Sequence, residues 1–145
     1  MNEEELTQAL GALESYKATM QSLEEQKNFV KMSLREYEIA KSTLEAFKDA
    51  EKGDEVMVPI GAGILAKMSV LDPDSFIVNA GSGVSVEKNF EEAMNTLEKR
   101  MQDIQNGLKS IEENLSRLQR EYDRLAHYVQ HAYEEYQRSQ NVQNP

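Results

Sequence analysis

From Phe90 to Tyr136 an apolar or aromatic side chain recurs every three or four residues without a miss: Phe90, Met94, Leu97, Met101, Ile104, Leu108, Ile111, Leu115, Leu118, Tyr122, Leu125, Val129, Ala132 and Tyr136. In a chain that is 39% apolar, fourteen such hits in one register arise by chance about twice in a million. A repeat averaging 3.5 residues keeps one stripe in line only on a helix that supercoils around another. The same rhythm runs through Leu6, Ala9, Leu13, Tyr16, Met20, Leu23, Lys27, Val30, Leu34, Tyr37, Lys41 and Leu44, broken only by two lysines. Two coiled-coil helices are expected, over residues 1–52 and 87–138, with 139–145 as a flexible tail. Each is about 70 Å long at 1.5 Å per residue.

Residues 53–86 differ in kind. They hold five of the seven glycines and two of the three prolines, and the side chains alternate as strands do. Ile64, Ala66, Met68 and Val70 fall on one face, Phe76, Val78 and Ala80 on another, and Val84 and Val86 oppose Ser85 and Glu87. Preceded by Val56-Met57-Val58, these make four short strands. Gly61-Ala62-Gly63, Asp72-Pro73-Asp74-Ser75 and Gly81-Ser82-Gly83 supply the turns. The chain therefore reads as mainly α: a long antiparallel coiled-coil hairpin with two β-hairpins inserted between its helices. Parallel dimerisation through both helices is the alternative, but it makes the insert bridge widely separated ends.

This reading leaves an apolar surface uncovered. The helical stripes are consumed by each other, so a four-stranded sheet built from the insert has a bare face and open edges, which invite aggregation. Another chain is expected to cover it, with Val56, Val58, Ile60, Ile64, Met68, Val70, Phe76, Val78, Val84 and Val86 as the assembly residues. The apolar stripe also widens where both helices reach the end farthest from the insert: Leu10 and Ala12 flank Leu6 and Leu13, while Ala126, Tyr128 and Tyr133 flank Val129, Ala132 and Tyr136. A two-helix seam does not need that width. Two readings stand: a hydrophobic grip for a partner chain, or tyrosines that staple fraying helix ends. The second helix overhangs the first, leaving Tyr136 unpartnered.

The remaining motifs resolve to bland readings. Lys27 and Lys41 sit at core positions of the repeat, where a charge sets register; facing helix ends near 50 and 87 put Lys27 opposite the Gly107 region and Lys41 opposite Ala93. Glu3-Glu4-Glu5 and Glu24-Glu25 read as solvated faces. His127, His131 and Glu135 have helical metal-ligand spacing, yet they lie on the outer face with no fourth ligand, so they read as surface residues. Gly61-Ala62-Gly63 lacks the third glycine of a dinucleotide fingerprint and precedes a strand. No phosphate-binding loop and no nucleophile–base pair occurs, so no catalytic residue, cofactor or metal is expected. With 26 acidic against 16 basic residues, a net charge of −10 and no cysteine, nucleic-acid binding and disulfides are both disfavoured. No apolar run reaches a membrane span, and the acidic start is unlike a leader peptide. A soluble, cytoplasmic protein is expected.

The order helix, two hairpins, helix, together with Val58-Pro59-Ile60-Gly61-Ala62-Gly63 and Asn79-Ala80-Gly81-Ser82-Gly83-Val84-Ser85-Val86-Glu87-Lys88, resembles the α class of the prefoldin family over essentially the whole chain. The β class of that family carries one hairpin, so two favour α, and the short acidic form suits an archaeal source. The resemblance implies a hexamer of two α-class and four β-class subunits, with α–α contact through the β-hairpins in a β-barrel assembly core. It implies an ATP-independent holdase that binds unfolded proteins at its coiled-coil tips and passes them to a group II chaperonin. Carried onto this chain, the client-binding positions are Leu6, Leu10, Leu13, Tyr128, Val129, Ala132, Tyr133 and Tyr136. The rival is a structural tether or adaptor without holdase activity; it explains the repeats and the insert but not the widened tip.

Overall fold

The computed structural model describes residues 2–143. Its elements follow in the order α1 (Glu3–Ala46), β1 (Glu55–Gly61), β2 (Ile64–Ser69), β3 (Phe76–Gly81), β4 (Val84–Lys88) and α2 (Phe90–Gln143). The chain divides into two compact units, Met1–Met32 with Asn106–Pro145, and Ser33–Gln105.

The 3–4 repeat decides which side chains are shielded. All twelve repeat positions of α1, both lysines included, are half-buried, and the other positions of the helix are exposed apart from Ala12 and Ser33. In α2 the repeat is half-buried or buried from Phe90 to Ala132, and Tyr136 stands exposed. Only Val70, Ala93 and Leu118 fall below a tenth exposed among the described residues, because two helices shield a seam without enclosing it. In the first unit, Asn2 and Leu6 line the same hollow as Ala132 and Tyr136, so the start of α1 packs against the end of α2 and the segments run antiparallel. In the second unit, Ala40 and Leu44 line a hollow with Ala93, Leu97 and Arg100, again antiparallel.

Helix ends follow local chemistry. Asn2 and Glu5 form a reciprocal capping box: the Glu5 amide donates to Asn2 Oδ1 at 2.8 Å and the Asn2 amide to Glu5 Oε2 at 3.1 Å. Asn89 caps α2, its Oδ1 accepting from the Glu92 amide at 2.9 Å. α1 stops at Ala46 rather than near 52, and its last turn tightens through the Phe47 amide to the Leu44 carbonyl at 3.0 Å and the Lys48 amide to the Glu45 carbonyl at 3.1 Å. α2 continues to Gln143, past the expected end at 138, since no glycine or proline interrupts 139–143. Of the expected tail, 144–145 lie outside the described residues.

Each hairpin is a separate two-stranded sheet, β1 with β2 and β3 with β4. The expected four-stranded sheet is not formed among the described residues, since each strand pairs only within its own hairpin. Both turns are two-residue loops with positive φ at each position, 52° and 78° at Ala62-Gly63 and 52° and 76° at Ser82-Gly83. That geometry matches the right-handed twist of paired strands. A register shift precedes each turn, between Pro59 and Gly61 and between Asn79 and Gly81.

The second unit is tied together around three phenylalanines. Phe76 of β3 meets Phe47, after α1, edge-on at 6.1 Å between ring centroids, and Phe90, which opens α2, at 6.3 Å. Polar contacts surround them. Asp74 Oδ1 accepts from the Phe90 amide at 3.0 Å, the Arg100 guanidinium donates to the Asn79 carbonyl at 2.6 Å, and Lys88 Nζ donates to Thr96 Oγ1 at 2.8 Å. Backbone bonds from Gly53 N to Val70 O (2.8 Å) and from Val70 N to Asp54 O (2.9 Å) extend the β1–β2 ladder and hold Val70 buried.

Candidate functional site

Two surfaces, one in each unit, carry the residues singled out from sequence. In the first unit, Leu6, Leu13, Val129 and Ala132 are half-buried in the seam. Leu10 and Tyr128, Tyr133 and Tyr136 are outside it, at 49%, 57%, 52% and 58% exposed. The helix geometry accounts for the split. Leu10 and Tyr133 follow seam residues by one position, which turns them about 100° off the stripe. Leu6, Ala132, Tyr133 and Tyr136 then line a hollow of about 160 Å³, with Asn2 and Glu3 at its rim. The capping box with Glu5 holds Asn2 in place there. The Tyr136 hydroxyl accepts from Gln140 Nε2 at 3.0 Å, so this ring is held by its own helix rather than by α1.

In the second unit, the strand registers sort the assembly candidates by face. Val56 pairs with Met68 and Val58 with Ala66, which puts all four on one side of the first hairpin; Val78 pairs with Val86 on one side of the second. Val56, Phe76 and Val78 are half-buried and Val70 is buried, while Val58, Ile60, Ile64, Met68, Val84 and Val86 are exposed. The opposite faces are not purely polar either: Met57, Leu65 and Ile77 are exposed as well, Ile77 at 79%. Thus each hairpin has one apolar face and a mixed one, where Met57 pairs with Lys67 and Ile77 with Glu87, and the outer edge of each strand lacks a neighbour within its sheet. Ile60 sits at the register shift before Gly61, off the ladder.

The charged positions resolve simply. Lys41 reaches Glu98, Nζ to Oε1 3.6 Å, so its opposite number lies about one turn beyond the Ala93 expected from equal helix ends. Ala93 instead lies buried beside Leu44, Phe76 and Leu97. His131 Nδ1 is 3.8 Å from Glu135 Oε1 on the outer surface of α2, and no group of three potential metal-ligating side chains occurs among the described residues. No helix among them is long and apolar enough to cross a membrane.

Sequence reasoning passed over two features. Glu5 was taken as part of a solvated acidic face but closes the capping box, for which the Asn-x-x-Glu spacing was the available signal. Phe29 and Met32 stand exposed on α1, outside its repeat.

The comparisons with known proteins agree with this architecture. The family model described as "Prefoldin subunit" matches residues 16–135. A prefoldin subunit alpha from Methanothrix thermoacetophila is 35% identical over 109 residues, covering 75% of this chain and 71% of the relative. One from Pyrococcus horikoshii is 30% identical over 130 residues, covering 89% and 88%. Among solved structures, the chain superposes on a filamentous PFD from Methanocaldococcus jannaschii with a TM-score of 0.70, at 22% identity and 80% coverage of this chain and 96% of that one. It superposes on the prefoldin beta subunit from Thermococcus strain KS-1 with a TM-score of 0.58, at 20% identity and coverages of 88% and 91%.

Proposed function

The chain belongs to the prefoldin family, and from that membership we propose that it works as an α-class subunit of a holdase which keeps unfolded proteins soluble without ATP. That it is a prefoldin chaperone subunit follows from the family. The α class is supported by the two hairpins and by relatives bearing that name. The observation that carries the holdase reading is the terminal surface of the first unit, where Leu10, Tyr128, Tyr133 and Tyr136 remain exposed beside a seam that does not use them.

The mechanism follows from the weakness of each such surface. An unfolded chain offers scattered apolar side chains, and one hollow covers few of them. Several subunits acting on one client convert weak contacts into avidity, and release then needs no nucleotide hydrolysis. The hairpins supply the means of gathering subunits: open strand edges recruit further strands, and the face bearing Val56, Val58, Met68, Val78 and Val86 is covered when they do. In this reading two copies meet through their hairpins, four β-class subunits complete the complex in the cytoplasm, and a group II chaperonin receives the client.

The test pairs assembly with activity. Mixed with β-class subunits, both wild type and the Leu10→Ala/Tyr133→Ala variant are expected to give the same complex mass by light scattering. The variant is expected to lose most of its ability to suppress aggregation of a chemically denatured, unrelated enzyme. Full suppression by the variant in an intact complex overturns the tip assignment. No suppression by the wild-type complex leaves a tether.

A further inference from the structure

Resting on the terminal surface as the client site, the charge around that surface addresses which client segments it takes. Within the first unit, carboxylates and cations are not spread evenly. Residues 2–16 and 126–143 hold Glu3, Glu4, Glu5, Glu14, Glu134 and Glu135 against one fixed cation, Arg138. The rest of that unit, 17–32 and 106–125, holds the same number of carboxylates, six, but seven cations. The balanced stretch carries the seam alone; the unbalanced one carries the hollow lined by Leu6, Ala132, Tyr133 and Tyr136, with Glu3 on its rim.

Helix dipoles do not cancel this field. The positive end of α1 and the negative end of α2 carry opposite half-charges within this unit and offset each other, so the carboxylate excess is left to set the sign. We propose that the surface selects apolar segments flanked by lysine or arginine: the apolar residues enter the hollow and the cations meet the acidic rim. An acidic flank is repelled, which makes the choice one of exclusion as much as attraction. The reach of the effect is short. With a screening length of about 8–10 Å at physiological salt and about 3.3 Å per extended residue, only the two or three positions next to the apolar core are read.

The experiment uses three fluorescent peptides with one apolar core, Leu-Phe-Val-Leu, flanked on both sides by Lys-Lys, Ser-Ser or Glu-Glu. Binding to the full chain is followed by anisotropy at 50 and 300 mM salt. The expected order is Lys-flanked tightest and Glu-flanked weakest, about tenfold apart at low salt and converging at high salt. In Glu3→Gln/Glu135→Gln the gap narrows several-fold, since Glu3 lines the hollow and Glu135 lies beside Ala132 and Tyr128, and in Tyr133→Ala all three peptides weaken. Equal binding of the three peptides, still weakened by Tyr133→Ala, overturns the charge selection and leaves the tip reading standing. A gap that Glu3→Gln/Glu135→Gln does not narrow overturns it too, by placing the charges elsewhere. Binding that Tyr133→Ala does not touch overturns the tip reading itself.

Discussion

The two units of this chain are built on opposite principles. In residues 33–105, side chains distant in sequence are fixed to each other: Phe47, Phe76 and Phe90 by ring contacts, Asp74 to the Phe90 amide, Arg100 to the Asn79 carbonyl. In the unit of 2–32 and 106–143, the caps and surface bonds at the terminal end are local, such as Asn2 with Glu5, His131 with Glu135 and Gln140 with Tyr136, and a single apolar seam holds the helices. The first arrangement specifies one shape, as assembly with defined partners requires. The second leaves Tyr128, Tyr133 and Tyr136 exposed at the terminal end.

The largest expected effect breaks the specific unit. Phe76 is the shared member of both ring pairs and is half-buried, so Phe76→Ala removes two contacts and their area together. Urea unfolding of the chain at fixed protein concentration is expected to show a loss of about 2–3 kcal/mol, near the low end for aromatic truncation because the site is not fully enclosed. A loss below half of that means the cluster is an accessory to the seam.

Next come the two lysines of the repeat, one in each unit. Lys27 and Lys41 are both half-buried, but only Lys41 has an ion pair among the described residues, with Glu98. Leucine at either position adds apolar burial, expected to stabilise by about 1 kcal/mol at 27. The gain at 41 is expected to be a few tenths smaller, since the pair it breaks is exposed and weak. If the lysines set register, Lys27→Leu also populates more than one mass in light scattering; a single mass shows that register is set by the hairpin unit alone.

These two tests also mark what was legible in the amino-acid sequence. The 3–4 repeat is a local signal, and it named the shielded positions of both helices from Leu6 to Leu44 and from Phe90 to Ala132. Alternation and the Gly-x-Gly turns named the strands, because pleat and positive φ are local too. What depends on distant chain was not legible. The ring cluster joins residues at 47, 76 and 90, and Phe47 lies off the repeat. The pairing of Lys41 with Glu98 joins residues of different helices. That β2 and β3 do not pair was not legible from either strand's own pattern. At the terminal surface the wide stripe was visible from the repeat, and the Asn-x-x-Glu spacing of the capping box was the signal inside the acidic run that marked Glu5 as more than a solvated residue.

Capping separates the units at a smaller scale. Asn89→Ala is expected to cost about 1 kcal/mol of global stability, because the Glu92 amide it strands lies where α2 joins the ring cluster. Asn2→Ala is expected to cost a few tenths globally and to appear instead as faster amide exchange confined to the first turn of α1. Equal global costs remove the distinction between a fixed and a frayed unit.

The smallest effect is the most telling. Leu10 and Tyr133 are half exposed, and truncation of a side chain that solvent already reaches leaves the unfolding free energy within about 0.5 kcal/mol of wild type. The seam residue beside them behaves otherwise: Val129 is half-buried, and Val129→Ala is expected to cost about 1 kcal/mol. Thermal unfolding by circular dichroism reads both. A terminal surface kept for clients gives a variant of unchanged melting that holds clients poorly, whereas a surface kept for stability gives a drop at Tyr133 as large as at Val129. The pair therefore asks whether the chain retains its exposed tyrosines for what they do to other chains or for what they do to its own helix ends.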